Sequence, residues 1–206
     1  MIHANMKVKN IYLLIALLIP MSMPAQPRQS QQSVGITYTG IGSNNAFYWE
    51  SLDGAGGYTD KGFYSIGINY VHPISKKIDL ETGFEFSHLK YKFSNASLGP
   101  EAPEPYVFSN KLFTIPATIR LKFLNYFFLN TGLLIDINSS NNSNMDSQSG
   151  LGAVIGVGAQ YDFGGSPIAV FVNPFYRHHA VLSFNTDGYQ LRTDEAGIRL
   201  GVSYLF

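Results

Sequence analysis

The chain has 206 residues, 45% of them hydrophobic, 14% aromatic and only 14% charged, with a mean hydropathy of +0.01. Its formal net charge is zero and it holds no cysteine. That excludes a basic nucleic-acid-binding surface, disulfides, thiolate metal sites and acylation at an N-terminal cysteine. Thirteen Tyr, 15 Phe and 20 Gly suit many short alternating strands better than a soluble helical protein, and the length allows one domain.

From Met6 the chain reads "MKVKNIYLLIALLIPMSMPAQ", in which Lys7 and Lys9 precede an apolar run from Ile11 to Ile19, then Pro20 and a small residue at Ala25. This is the layout of a secretory signal peptide, and the run is shorter than the roughly 20 apolar residues of a spanning helix. The expected division is a signal peptide over 1–25 and a mature domain over 26–206, with Met1 or Met6 as the start. Loss of Lys7 and Lys9 leaves 12 basic against 14 acidic side chains, a net charge of −2.

Period-two alternation then recurs along the mature chain. "SVGITYTG" places Val34, Ile36 and Tyr38 on one face and Gly35, Thr37 and Thr39 on the other. "FYSIGINYVH" sets Tyr64, Ile66, Ile68 and Tyr70 against Ser65, Gly67 and Asn69, and "KIDLETGFEFSH" sets Leu80, Phe84 and Phe86 against Asp79, Glu81 and Glu85. "LFTIPATIRLKF" opposes Ile115, Ile119 and Leu121 to Thr118, Arg120 and Lys122. "YFFLNTGLLIDI" opposes Leu129, Leu133 and Ile135 to Phe128, Asn130 and Asp136. "GLGAVIGVGAQYDF" alternates Ile155 and Val157 with Gly156 and Gly158, and "IAVFVNPFYRHHAVL" follows the same rule less cleanly, with Val172 and Tyr176 opposite Asn173 and Arg177. The closing "AGIRLGVSYLF" carries Ile198, Leu200, Val202, Tyr204 and Phe206 on one face. About eight strands result, the smallest bacterial transmembrane barrel.

The connections alternate in length. "PISKK", "LN" and "GGSP" are short, whereas "SNNAFYWESLDGAGGYTDK", "SNASLGPEAPEPY", "NSSNNSNMDSQS" and "NTDGYQ" are longer and polar. Short turns on one rim and long loops on the other, with both termini at the short-turn rim, form the outer-membrane pattern. The interior of eight strands is just wide enough to be filled by side chains, so the bulky apolar set faces outward and its solvent is lipid. Strands cross lipid only as a closed barrel, so the last strand pairs with the first. Tyr70, Phe123, Phe127, Tyr161, Phe163, Tyr204 and Phe206 lie near the short turns, and Tyr38, Tyr64, Phe86, Phe113 and Tyr176 toward the long loops. These are the two interfacial girdles of a membrane barrel. The fold expected is an all-β, eight-stranded antiparallel transmembrane barrel, an up-and-down meander.

"FTIPATIRLKFLNYFFLNTGLLI" resembles the core of the PorT-type, OmpA-like outer-membrane β-barrel domain of Gram-negative bacteria, through Ile115-Pro116, the turn at Leu124-Asn125 and Gly132. "GIRLGVSYLF" is similar to the C-terminal signal read by the outer-membrane insertion machinery, which makes Val202, Tyr204 and Phe206 the candidate assembly signal. The resemblance spans the mature chain and implies residence in the outer membrane, periplasmic termini and extracellular long loops. It brings no catalytic residues.

The inward set supplies Glu81, Glu85, Arg120, Lys122, Arg177 and Arg199. Unpaired ions in a narrow interior are costly, so these are read as a structural charge network filling the lumen. Glu81 and Glu85 lie roughly 13 Å apart along the strand, too far for a retaining carboxylate pair. The neighbours His178 and His179 point to opposite faces and cannot chelate together, and His179 with Ser183, four apart on one face, are beyond hydrogen-bond reach. "GAGG" lacks the helix of a phosphate loop, and "AFYWE" and "PEAPEPY" are candidate contacts for an extracellular or envelope partner. The reading is a non-enzymatic outer-membrane barrel with a structural, binding or envelope-assembly role, without cofactor, metal or nucleic acid. The alternatives are a lipid A-modifying or phospholipid-cleaving enzyme and a narrow channel.

Overall fold

The computed structural model describes residues 31–48, 57–94, 104–140, 146–184 and 191–206. The signal-peptide expectation, Trp49 of "AFYWE", most of "PEAPEPY" and the whole of "NTDGYQ" lie outside the described residues.

Eight strands run in chain order: β1 (Ser33–Tyr48), β2 (Gly57–Pro73), β3 (Ile78–Ser94), β4 (Tyr106–Phe123), β5 (Phe127–Asn138), β6 (Gly150–Asp162), β7 (Ile168–Ser183) and β8 (Leu191–Leu205). Each pairs antiparallel with its sequence neighbours, and β1 closes the ring on β8 from Ser33↔Leu205 to Tyr48↔Leu191. Closure leaves no edge unpaired, as a hydrocarbon solvent demands. The three short turns and both ends of the described ring share one rim, here the terminal rim; the opposite one is the distal rim.

The alternation sorts side chains as the sequence predicts over the middle of the barrel. Ile36, Ile66, Phe84, Ile119, Leu133, Ile155, Val172 and Val202 project outward into solvent, with Phe84 as much as 70% exposed. Ring stacking ties the aromatics near the terminal rim into pairs, Phe123 with Phe127 and Tyr126 with Tyr161, while Phe86 meets Phe113 farther up. From Phe113 to Phe123 the outward face of β4 runs about 34 Å along the strand, or about 26 Å of barrel height at a tilt near 40°. That matches the apolar band of an outer-membrane barrel.

The strands extend beyond that band. β1 and β2 reach Tyr48 and Gly57, so much of what reads as a long polar loop is paired strand. In these extensions polarity reverses. Past Ser87, β3 turns Leu89 and Tyr91 inward and Lys90 outward; β4 mirrors it with Phe108 and Leu112 inward and Lys111 outward. Apolar-out alternation therefore reports only the lipid-immersed part of each strand; above it the barrel is built like a water-soluble one.

Candidate functional site: the filled lumen

Every inward charged residue singled out in the sequence lies in the lumen, and the structure divides them into layers. Nearest the terminal rim, Lys122 Nζ donates to Asp79 Oδ1 at 2.6 Å. Lys122 is thus neutralised by its own cross-strand neighbourhood and does not join the other five. One layer deeper, Arg120 grips Glu81 with two donors, Nε to Oε2 at 2.6 Å and Nη2 to Oε1 at 2.9 Å. Arg199 Nη2 approaches the same carboxylate at 3.2 Å, and Asn69 Nδ2 donates to it at 3.1 Å. Glu81, fully buried, has its lone pairs taken up from β2, β3's neighbour β4, and β8.

Toward the distal rim, Arg177 donates both terminal nitrogens to Glu85, Nη2 to Oε2 at 2.9 Å and Nη1 to Oε1. It also lies 3.5 Å from Glu195. β3 and β7 are not neighbours in the sheet, so this bidentate pair spans the bore. Above it, His179 faces two carboxylates, Nδ1 3.0 Å from Asp136 Oδ2 and Nε2 3.6 Å from Glu195 Oε2. Thr114 Oγ1 donates to the other oxygen of Asp136 at 2.8 Å. The carboxylates of Glu81, Glu85 and Asp136 are thus hydrogen-bonded to a guanidinium or to the His179 ring, whereas Glu195 lies near Arg177 and His179 without a hydrogen bond to either. Such mutual compensation is what makes buried charge tolerable.

Aromatic rings complete the packing. The Arg120 guanidinium lies 4.4 Å from the Phe128 centroid and 5.0 Å from that of Phe171, and Arg177 lies 4.3 Å from Phe175. A few bulky rings also enter the bore, where glycines on adjacent strands make room for them. A Cβ at Gly158 would sit 2.3 Å from the Phe128 ring, and one at Gly201 would sit 2.2 Å from Phe171. The rings occupy the volume those missing side chains vacate.

At the distal end Phe63, Leu89, Tyr91, Phe108 and Leu191, with Ala46, form a buried apolar cluster inside the barrel. Between the charge layers, a cavity of about 10 Å³ lined by Thr118, Asn173, Arg177 and Arg199 has room for about one water. A wider apolar trough of about 770 Å³ lies against the lipid-facing wall, between Tyr38, Tyr161, Val172 and Leu200.

Sequence reasoning missed Asp136 and His179 as network members. His179 is fully buried, while His178 points to the outer wall and contacts Asp194, on opposite faces as expected. Parity was the available signal: His179 shares its face with Arg177, as Asp136 does with Asn130. The candidate assembly residues Val202, Tyr204 and Phe206 all face outward at the terminal rim. Phe206 N donates to the Gln32 carbonyl at 2.9 Å, and Tyr204 pairs with Val34 and Ile168. The chain end is therefore part of the closing seam.

Among solved structures, the chain is similar to the N-terminal β-barrel domain of OprF from Pseudomonas aeruginosa (15% identity, TM-score 0.43, covering 86% of this chain and 100% of that one). It is also similar to OprG from the same organism (12% identity, TM-score 0.47, 89% and 99%) and to Ail of Yersinia pestis (13% identity, TM-score 0.42, 87% and 100%). Comparison with functionally curated proteins yields no match. Residues 13–206 match the family described as Outer membrane protein beta-barrel domain. With nearly its whole length matched and a closed eight-stranded ring with an apolar outer wall, the chain belongs to that family of outer-membrane β-barrels.

Proposed function

We propose that the protein is a closed, non-enzymatic barrel that serves the outer membrane as a structural or binding element, its terminal rim periplasmic and its distal rim extracellular. The observation that carries this reading is the lumen: ion pairs lie across it, phenylalanines fill the gaps and an apolar cluster caps it. Among the described residues, such an interior offers neither a bore for solutes nor a cleft for substrate. Any recognition then falls to the outer wall and the distal extensions. Within the family, the Ile115-Pro116 strand and its aromatic-led partner β5 support a place with PorT-type barrels. The outward Val202, Tyr204 and Phe206, joined to the closing seam, support a role as the signal taken up by the insertion machinery.

One observation favours a lipid-acting enzyme as the second reading. On the outer wall toward the distal rim, Asp194 accepts a hydrogen bond from Tyr176 Oη at 2.6 Å and contacts His178 Nδ1, the arrangement of a base held by its orienting carboxylate. Mass spectra of lipid A and phospholipids from a deletion strain separate the two. The non-enzymatic reading predicts spectra identical to the parent strain, and a changed acyl or phosphate pattern restored by the wild-type gene overturns it.

A further inference from the structure

The polarity reversal described above leaves an asymmetric surface. On β2, β3 and β4, immediately beyond the aromatic line of Tyr64, Phe86 and Phe113, the outward positions carry Lys61, Lys90, Lys92 and Lys111. Register brings them together. Lys111 pairs with His88 and so lies diagonal to Lys90; Lys61 sits in the bulge opposite Lys90; Lys92 pairs with Thr59. Among the described residues on these outward positions there is no carboxylate; the others are Gly57, Thr59, His88, Ser94, Val107 and Ser109, and Asp60, beside Lys61, accepts a hydrogen bond from Gly62 N at 2.6 Å. At the same height the far side of the barrel is different: β7 and β8 present His178, Asp194 and one cation, Arg192, which has Asp146 near it, and beyond the β7 bulge come Leu182 and Phe184.

Like charges at cross-strand and diagonal spacing repel, so four lysines here weaken the sheet unless an anion lies among them. Their height decides which anion. They stand just above the apolar band, where the headgroups of the adjoining leaflet lie, and lysine stems reach along a surface toward that layer. We propose that this face of β2–β4 is a docking surface for phosphate-bearing lipid headgroups, holding an anionic lipid against one side of the barrel. It rests on the proposed orientation only in assigning that lipid to the outer leaflet.

The experiment is titration of the purified protein, in phosphatidylcholine nanodiscs, with a diphosphorylated lipid A and with the same lipid dephosphorylated. Bound lipid is counted by native mass spectrometry. Both rims are accessible in a nanodisc, so the outcome does not depend on orientation, which surface labelling of intact cells tests separately. A surface lysine near an anionic headgroup layer contributes roughly fivefold in affinity. The triple variant Lys90→Gln, Lys92→Gln, Lys111→Gln should therefore bind the phosphorylated lipid at least tenfold more weakly, with binding of the dephosphorylated lipid unchanged. The triple Arg variant should retain wild-type binding. Heat-modifiable migration confirms that each variant is folded. Equal affinity for the two lipids, an unaffected Gln variant, or displacement of the lipid by millimolar inorganic phosphate overturns the proposal.

Discussion

Arg120 and Glu81 lock β4 to β3 inside the barrel through a bidentate ion pair at 2.6 and 2.9 Å, with both side chains buried to within 1% of complete. Removing one partner leaves the other charged in a low-dielectric interior, which costs about 3–5 kcal/mol. Arg120→Ala should lower unfolding stability in urea by that order. The triple variant Arg120→Met, Glu81→Gln, Arg199→Met should recover a large part, because Arg199, which shares the Glu81 carboxylate, is then not left unpaired either. A triple variant as unstable as Arg120→Ala contradicts this account of the pair.

The match between glycines and rings gives a second outcome. Gly201→Ala should collide with Phe171, since the new Cβ would lie 2.2 Å from the ring, and overpacking of this kind costs about 1–3 kcal/mol. Adding Phe171→Leu should restore part of the loss. At Gly132 the obstacle is the Ala117 carbonyl oxygen at 2.2 Å, which is backbone, so no side-chain change on β4 should rescue Gly132→Ala. Urea midpoints of these three variants, and of Gly132→Ala with Thr118→Ser added on β4, check both statements.

These two cases also mark how far the sequence can be read. Strand number, facing and closure follow from alternation because lipid on one side and a tight bore on the other impose opposite chemistries on successive residues. Glu81, Glu85, Arg120, Arg177 and Arg199 were legible as lumen residues for the same reason. Their pairing was not, because register depends on strand stagger: Glu85 reaches Arg177 across the bore, whereas Lys122 is taken by Asp79. Phe171 and Phe175 were hidden because an aromatic fits inward only where a glycine on the next strand yields space. The distal apolar cap was hidden because there the alternation continues with its polarity reversed.

Facing itself is tested on β5. Ile135 is outward and its neighbour Asp136 is fully buried. Ile135→Arg should destabilise the barrel in bilayers by about 2–4 kcal/mol if the position lies near the midplane, and less toward either interface. Ile135→Val should cost well under that. Equal stability of the two variants in a lipid bilayer removes the lipid-facing assignment.

The chain end supplies an assembly outcome. Phe206 contributes both an outward aromatic ring and a hydrogen bond to Gln32 at the seam between β8 and β1. Deleting Phe206, or extending it with a charged tail, should reduce heat-modifiable protein in the outer membrane and lead to periplasmic degradation. Wild-type levels of both variants contradict the role of the Val202, Tyr204 and Phe206 signal.

The central claim is that this barrel is closed, and single-channel recording in planar bilayers tests it most directly. The pairs Arg120–Glu81 and Arg177–Glu85, with the cap of Phe63, Leu89, Tyr91, Phe108 and Leu191, leave no continuous aqueous path through the described lumen. The purified protein should insert without steady conductance, and Arg120→Ala should at most admit brief, small currents. Stable, large unit conductance from the unmodified protein would contradict the closed barrel and establish a channel in its place.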